Sequence, residues 1–173
     1  EADAIIGNPP FLGGKRLREG LGSDYIERLY KEFPGHQNFG DICCYWFRLA
    51  HDALGESGRA GLVGTNMIRR GYNRKASLDY ILDQGGYILD ATSSQPWSGQ
   101  ANVYVSIVNW GKQRPLSCRL DGAEVNKINS RLDRGVDASQ AVKLFANACV
   151  SFIGAQPTGK GFEVPKVLAS EWI

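Results

Sequence analysis

The chain has 173 residues, 43% of them hydrophobic and 22% charged, as in an ordinary globular protein with one sizeable core. Its net charge of +2 is too small to indicate a nucleic-acid partner by itself. The first residues form no signal peptide and no apolar run is long enough to cross a bilayer, so we expect a cytoplasmic protein without a membrane partner. The cysteines lack metal-ligand spacing, which predicts reduced, mostly buried thiols and no metal site. They are Cys43, Cys44, Cys118 and Cys149.

The first predicted element is a short buried strand that ends in a proline-rich corner. An apolar, β-branched run ends at Gly7 and is followed by Asn8, Pro9, Pro10 and Phe11. The prolines fix their own φ angles, lack N–H groups and push the residues before them into extended conformations. The stiff corner presents the Asn8 side-chain oxygen and the Pro9 carbonyl, which can accept both hydrogens of an amino group on a flat ring. Phe11 can stack on that ring.

This corner resembles the Asn-Pro-Pro-aromatic motif of amino-methyltransferases that use S-adenosylmethionine (AdoMet). The stretch Ile5–Lys15 is similar, more narrowly, to gamma-class N6-adenine DNA methyltransferases, above all to the methylase region of fused restriction–modification enzymes of the MmeI type. The resemblance implies AdoMet as cofactor, double-stranded DNA as partner and an adenine flipped out of the duplex. It implies catalytic roles for Asn8, Pro9 and Phe11, with Pro10 beside them at the substrate.

The corner is followed by a glycine-rich, basic stretch, residues 13–22, which predicts a mobile loop. Lys15 in this loop is a candidate to contact DNA phosphates beside the corner, although a solvated connector fits the same composition. A helix is predicted next, from Ser23 to about Phe33, because its apolar residues share one face. The sequence thus places a substrate-binding candidate directly after the corner.

A second predicted helix begins near Asp41, a plausible N-cap, and ends before Gly55. In the resembling family, the start of this helix lies near the adenine of the cofactor and an aromatic residue packs there. Trp46 or Phe47 matches that position, although packing in the core is at least as good an explanation for each. The predicted apolar stripe comprises Ile42, Tyr45, Trp46, Leu49, Ala53 and Leu54.

The second predicted strand covers residues 59–66 and forms a β-α-β unit with the first strand. The segment that follows, residues 66–75, is basic and contains no acidic residue. Its positive side chains are Arg69, Arg70, Arg74 and Lys75. Because ligands gather at the carboxyl ends of parallel strands, this segment and the corner should lie at one edge of the sheet. These side chains are candidates to hold the DNA backbone, and a solvated helix start is an equal alternative.

A helix over about residues 76–83 leads to a third strand, 87–91, and a polar loop, 92–102. The loop is too short for a helical crossover, so the next strand, 103–110, is predicted to be antiparallel. Members of the resembling family have a similar final pair, and an aromatic residue in the preceding loop stacks on the other face of the flipped base. Trp97 matches that placement, whereas packing under the loop is the alternative.

The pattern weakens beyond Lys112, where we expect short helices near 121–132 and 139–147. A strand and a glycine-rich turn after them resemble the lead into a target-recognition region. The chain is therefore predicted to have three parts. They are the second half of a methyltransferase core (1–112), a helical connector (113–148) and the start of the target-recognition region (149–173).

The resemblance covers roughly residues 4–161 and lacks the glycine-rich turn that binds AdoMet in such proteins. The predicted fold is α/β, the C-terminal half of a Rossmann-like AdoMet-dependent methyltransferase sheet. It has parallel strands, an antiparallel final pair and helices on both faces. The abrupt start at Glu1 leads us to expect a fragment whose main AdoMet motif lies outside it. We expect this chain alone to bind AdoMet poorly and to be inactive.

The residues leave the methyl acceptor open. Besides adenine N6 in duplex DNA, the corner suits cytosine N4, an RNA base or a protein glutamine amide, although a glutamine does not require Trp97. A catalytically inactive DNA-binding remnant would show affinity with a steep salt dependence and no transfer. Nuclease activity of the parent protein comes only from the resemblance, because the sequence shows no convincing cluster of carboxylates and lysine.

Overall fold

The structure is a computed structural model that describes residues 1–33, 40–97, 103–135 and 145. The chain divides into two compact units, Glu1–Ser139 and Gln140–Ile173, and nearly all of the second lies outside the described residues. The helix predicted over 139–147, the strand after it and Cys149 therefore lie outside the described residues. Among the residues described, no helix is long and apolar enough to span a membrane.

Six strands form one mixed sheet. They are β1 (Ala2–Gly7), β2 (Leu54–Thr65), β3 (Tyr87–Pro96), β4 (Tyr104–Gly111), β5 (Cys118–Leu120) and β6 (Ala123–Val125). Their order across the sheet is β1-β2-β4-β3-β5-β6. β1, β2, β3 and β5 run in one direction, whereas β4 and β6 run against it. The parallel β1–β2 pair and the antiparallel β3–β4 pair confirm the predicted α/β fold.

One set of helices connects β1 to β2, and a second set connects β2 to β3. They are α1 (Gly14–Leu21), α2 (Ser23–Glu32), α3 (Cys43–Ala53), α4 (Gly71–Arg74) and α5 (Tyr80–Asp83). A 3-10 turn (Asn66–Arg69) precedes α4, and a π-helical turn (Lys75–Asp79) joins α4 to α5. The helices predicted over 23–33 and near 76–83 are confirmed, and the second of them begins earlier than predicted.

The core lies on one face of the sheet. Ala60 and Leu62 of β2 are buried and stand opposite Trp110 and Val108 of β4, so their side chains share that face. Phe47 of α3 is fully buried and stacks on Trp110, with ring centroids 5.3 Å apart and an interplanar angle of 17°. This aromatic pair joins α3 to the centre of the sheet.

The predicted apolar stripe of α3 is wrong for half of its members. Trp46 and Leu49 are 49% and 48% exposed, and Ala53 is exposed. The residues that α3 buries are Cys43, Cys44, Tyr45, Phe47, Ala50 and His51. Apolar residues occupy most sides of this helix, so their spacing did not decide which side faces the sheet.

The mobile loop predicted over residues 13–22 is a helix, α1. The Gly13 carbonyl accepts hydrogen bonds from the backbone N–H groups of Arg16, at 2.9 Å, and Leu17, at 3.2 Å. Leu17 is only 2% exposed. Burial of this one leucine gives the segment a packed side, which offsets the helix-weakening effect of its glycines.

The helix predicted over residues 121–132 is also wrong, because β5 and β6 form a hairpin there. Asp121 and Gly122 connect the strands with φ angles of 51° and 78°. An Asp-Gly pair is the usual sequence for a two-residue turn with positive φ at both positions. The dipeptide was therefore a readable signal for the hairpin, and β5 adds to the sheet beside β3.

His51 of α3 is buried, and its ring lies edge-on to the ring of Tyr80, with the ring centroids 6.2 Å apart. Among the described residues, its Nδ1 atom has no hydrogen-bond partner. Burial lowers the pKa of His51, and the Lys112 ammonium group acts in the same direction, whereas the Gln84 backbone and the Asp52 carboxylate oppose the shift. The imidazole is therefore neutral in the folded chain over a wider pH range than in the unfolded chain.

We expect the free energy of unfolding to decrease as the pH falls below about 6.5, because the unfolded chain then binds a proton that folded His51 does not. Above that pH the histidine is neutral in both states and adds no pH dependence. Urea unfolding of the chain and of His51→Gln at several pH values measures the difference, and the curve of the variant should be flatter. Parallel curves would contradict this prediction.

Candidate functional site

The proline corner that follows β1 has two exposed residues, one buried residue and one half-buried residue. Asn8 and Pro10 are exposed, Pro9 is buried, and Phe11 is half-buried against the core. Within the described part of the chain, no hydrogen bond occupies the Asn8 side chain or the Pro9 carbonyl. The Asn8 oxygen is therefore exposed and unoccupied among the described residues, whereas the unoccupied Pro9 carbonyl belongs to a buried residue.

The carboxyl ends of β1, β2 and β3 lie along the same edge of the sheet, and the corner leaves this carboxyl edge. β1 ends at Gly7, opposite Leu62, and β2 continues to Thr65 before the 3-10 turn begins. β3 ends at Pro96, opposite the start of β4. Because β1, β2 and β3 run in the same direction, the corner, the basic segment and Trp97 all leave this edge. The predicted placement of the corner and the basic segment at one edge is confirmed.

Trp97 closes the connection between β3 and β4. Its backbone N–H donates to the Val103 carbonyl at 2.9 Å, and its side chain is half-buried.

β3 continues to Pro96, so the first part of the loop predicted over 92–102 is strand instead, and 98–102 lie outside the described residues. β3 lies three strand spacings from β1, about 14 Å. Trp97 therefore leaves the same end of the sheet as the corner, from a strand about 14 Å away.

The four cations of the basic segment differ in their surroundings. Arg70 and Lys75 are exposed. Arg74 forms an ion pair with Asp79 at 3.2 Å, and both side chains are largely buried. Arg69 is half-buried, and among the described residues its Nε atom has no hydrogen-bond partner. Arg70 and Lys75 thus present their charge to solvent, whereas Arg74 stabilises the π-helical turn.

The remaining candidates for substrate and cofactor contact lie on α1 and α3. Lys15 lies in the first turn of α1, and its side chain is outside the described part of the structure. Phe47 is a core residue with no exposed surface, whereas Trp46 beside it is 49% exposed. Trp46 is therefore the member of this pair that can contact a ligand.

The cysteines have the environment of inert thiols. Cys43, Cys44 and Cys118 are free and buried. A hydrogen bond with Cys44 and burial raise the pKa of Cys43, and burial raises the pKa of Cys118. Thiolates are the nucleophilic form, so Cys43 and Cys118 are not suited to attack a substrate. In the part of the chain that the structure describes, no group of His, Cys, Asp and Glu could hold a metal ion.

Sequence reasoning gave Asp41 only the role of a helix cap, and the structure shows that it does more. Asp41 is 7% exposed, and its carboxylate accepts hydrogen bonds from Cys43, Leu12 and Thr65. The bond with Cys43 is the predicted cap contact, although Ile42 is the residue directly before α3. Leu12 is 29 residues away in the chain, a separation at which no local pattern predicts a contact.

Residues 1–120 match the family model described as the DNA-methyltransferase domain of MmeI. The chain belongs to the MmeI DNA-methyltransferase domain family. The resemblance found in the corner and in the residues after it is thereby confirmed, and the family match covers strands β1 to β5, whereas β6 lies beyond it.

The solved structure of MmeI has the same fold over the matched region. The chain is similar to the Type IIL restriction-modification enzyme MmeI in complex with DNA, with 23% identity and a TM-score of 0.64 over 78% of this chain. The match covers 20% of the MmeI chain, so this chain spans about one fifth of that protein. A second structure, described as a modification subunit of a type I restriction enzyme from Vibrio vulnificus YJ016, has 16% identity and a TM-score of 0.47. That match covers 73% of this chain and 27% of the other. No curated protein matches this chain.

Proposed function

We propose that this chain is part of a DNA methyltransferase that transfers the AdoMet methyl group to N6 of an adenine flipped out of duplex DNA. The observation that carries the proposal is a proline corner in an MmeI-family methyltransferase domain whose Asn8 side-chain oxygen and Pro9 carbonyl have no hydrogen-bond partner among the described residues, with Asn8 exposed. The relationship to MmeI further supports a place in a restriction–modification system, because MmeI is a restriction-modification enzyme.

The chemistry follows from the two acceptors. The N6 amino group has two hydrogens, and donating both to Asn8 and Pro9 turns its lone pair toward the methyl group. Because the reacting atoms are then aligned, much of the barrier to transfer is removed before the reaction begins. The buried Pro9 and the half-buried Phe11 keep the corner from moving away from the base. No enzyme nucleophile is needed, which agrees with the inert cysteines.

The adenine must leave the duplex because its N6 lies inside the helix. Phe11 beneath the base and Trp97 across the strand ends are the aromatic side chains proposed to stack on it. Arg70 and Lys75 are exposed at the same edge and are proposed to bind the phosphate backbone, with Lys15 beside the corner. Since Arg74 is ion-paired with Asp79, we expect loss of the Arg74 side chain to weaken the helical segment more than it weakens DNA binding.

The cofactor site fits this chain only in part. Trp46, half-exposed on α3, has the surface needed to pack on an adenine ring. The glycine-rich turn and the acidic residue that such domains use are not found in the sequence. When bound, AdoMet supplies an electrophilic methyl group. The residues of this chain are proposed to supply one wall of its site and the acceptor side of the reaction.

The parent protein should methylate duplex DNA and produce N6-methyladenine. Incubating it with radiolabelled AdoMet and, separately, duplex DNA, RNA and a glutamine-containing protein substrate identifies the acceptor class. Nucleoside analysis of the DNA product then separates N6-methyladenine from N4-methylcytosine. Label in RNA, protein or cytosine would refute the adenine assignment. DNA affinity with a steep salt dependence and no transfer would indicate an inactive DNA-binding remnant.

A further inference from the structure

Buried Asp41 connects the proline corner to three other elements, two of them through its carboxylate and one through its backbone N–H. Its Oδ1 accepts hydrogen bonds from the backbone N–H of Leu12, at 3.0 Å, and of Cys43, at 3.4 Å. Its Oδ2 accepts one from the Thr65 hydroxyl at 3.1 Å. The backbone N–H of Asp41 donates to Asn73 Oδ1 at 2.8 Å. We name Asp41, Leu12, Thr65 and Asn73 the Asp41 cluster.

The Asp41 cluster determines where one end of the corner lies. The N–H of Leu12 donates to Asp41, and the Leu12 carbonyl accepts a hydrogen bond from Ile42 N–H at 3.1 Å. At the other end, Gly7 is paired with β2. Between these two points lie residues 8–11, whose two prolines have no N–H with which to form a stabilising hydrogen bond. The position of Asn8 therefore depends on β1 and on the Asp41 cluster.

The same cluster ties the corner to the basic segment. Asn73 lies in α4, between Arg70 and Arg74, and Thr65 is the last residue of β2 before that segment. The contacts join residues that are 29, 24 and 32 positions apart in the chain. Asp41 thus holds the corner, the end of β2 and α4 in one arrangement.

A buried carboxylate is costly unless its oxygens are paired. Among the described residues, none of the ion pairs involves Asp41, so its charge is balanced by hydrogen bonds and by the N-terminus of α3. A fully satisfied network of this kind makes a local structure rigid. The arrangement exceeds what a helix cap alone requires, because two of the three hydrogen bonds that the carboxylate accepts come from outside α3.

We propose that Asp41 is a positioning residue for methyl transfer, which holds Asn8 and Pro9 in line with the methyl donor through Leu12. This inference rests on the proposed function of the corner. Misplacement of reacting groups by about 1 Å costs on the order of 100-fold in rate. Loss of the Asp41 side chain removes its hydrogen bonds with Leu12 and Thr65 but keeps the backbone N–H bond to Asn73, so the basic segment stays in place. It should therefore slow the transfer step itself and leave the affinities for AdoMet and DNA nearly unchanged.

The test compares variants of the full-length enzyme in single-turnover methylation of duplex DNA. Asp41→Ala should reduce the transfer rate by about 10- to 100-fold, with dissociation constants for AdoMet and DNA within about threefold of wild type. Asp41→Asn should recover most of the rate. Its amide oxygen can still accept from Leu12, and its NH2 group can donate to Thr65, whose hydroxyl can turn to accept.

Asp133→Ala is the control, because Asp133 likewise accepts backbone and side-chain hydrogen bonds, here from Gly135 and Asn129, although it is more exposed than Asp41 and pairs with Arg131. Asp133 follows β6, and β6 is the outermost strand on the side of the sheet opposite β1. Loss of the Asp133 side chain should therefore lower stability without slowing transfer per folded molecule. A wild-type rate in folded Asp41→Ala, or a rate that falls only in proportion to affinity, would overturn the inference. An Asn substitution no better than Ala would do the same.

If Asp41→Ala does not fold, Thr65→Val decides, because it removes a single bond of the carboxylate and keeps the shape of the side chain. We expect its transfer rate to fall severalfold at unchanged affinity, and a wild-type rate would overturn the inference. Asn8→Ala assayed in parallel separates the two proposals. Full activity in Asn8→Ala refutes the proposed function, whereas loss in Asn8→Ala with full activity in Asp41→Ala refutes only the positioning role.

Discussion

Replacing Asn8 by alanine in the full-length enzyme should abolish methyl transfer, with a loss on the order of 100-fold or more, and should spare AdoMet binding. The side chain is exposed, and among the described residues it forms no hydrogen bond, so its removal disturbs no packing in the fold. What is lost is one of the two acceptors that orient the amino group. Single-turnover transfer of radiolabelled methyl groups measures the rate, and calorimetry measures AdoMet binding.

The control for Asn8→Ala is Asn126→Ala. Asn126 is likewise exposed, but it follows β6 at the far edge of the sheet from β1. This variant should transfer methyl groups at the wild-type rate. Unchanged turnover in Asn8→Ala would remove the catalytic role of the corner, and equal losses in both variants would point to a general effect of lost amides.

Replacing Trp97 by alanine should weaken binding of DNA whose target base is flipped out. Base–aromatic stacking contributes about 1–3 kcal/mol per base, which corresponds to a loss of about 5- to 150-fold in affinity. The backbone hydrogen bond of Trp97 to Val103 does not involve the side chain, so the β3–β4 connection should persist. Fluorescence of 2-aminopurine at the target position reports whether the base is unstacked and whether an aromatic ring covers it.

Trp97→Phe is the informative companion, because phenylalanine keeps a ring for stacking in a smaller side chain. It should recover most of the affinity and the quenching of the flipped 2-aminopurine. If Trp97→Ala instead binds DNA as tightly as wild type and unfolds at a lower denaturant concentration, the ring packs beneath the connection and does not contact the base.

The features that were read correctly from the sequence are those set by neighbours in the chain. Pro9 and Pro10 restrict the backbone of their own corner whatever surrounds it, so its stiffness was predictable. The short connection between β3 and β4 required an antiparallel pair, since the chain cannot return to the other end of the sheet in so few residues. The hairpin at Asp121 and Gly122 is also set by neighbours in the chain, although a helix was predicted there, because an Asp-Gly pair favours a two-residue turn.

The features that were misread depend on what packs against them. α3 is apolar on most sides, so contact with β2 and Trp110, and not periodicity, determined that Phe47 is buried and Trp46 exposed. Residues 13–22 have the composition of a loop, yet the burial of Leu17 makes them a helix.

Local chemistry thus predicted, from one stretch of residues, a stiff corner with two oxygens suited to an amino group, and the family match confirms the family that this stretch resembles. The folded arrangement alone showed which aromatic of α3 faces solvent, which cation of the basic segment is neutralised, and that Asp41 holds the corner. The physical reason is the separation along the chain over which each interaction acts. Proline restricts the backbone over one or two bonds, whereas a buried carboxylate chooses its partners among groups that only folding brings together.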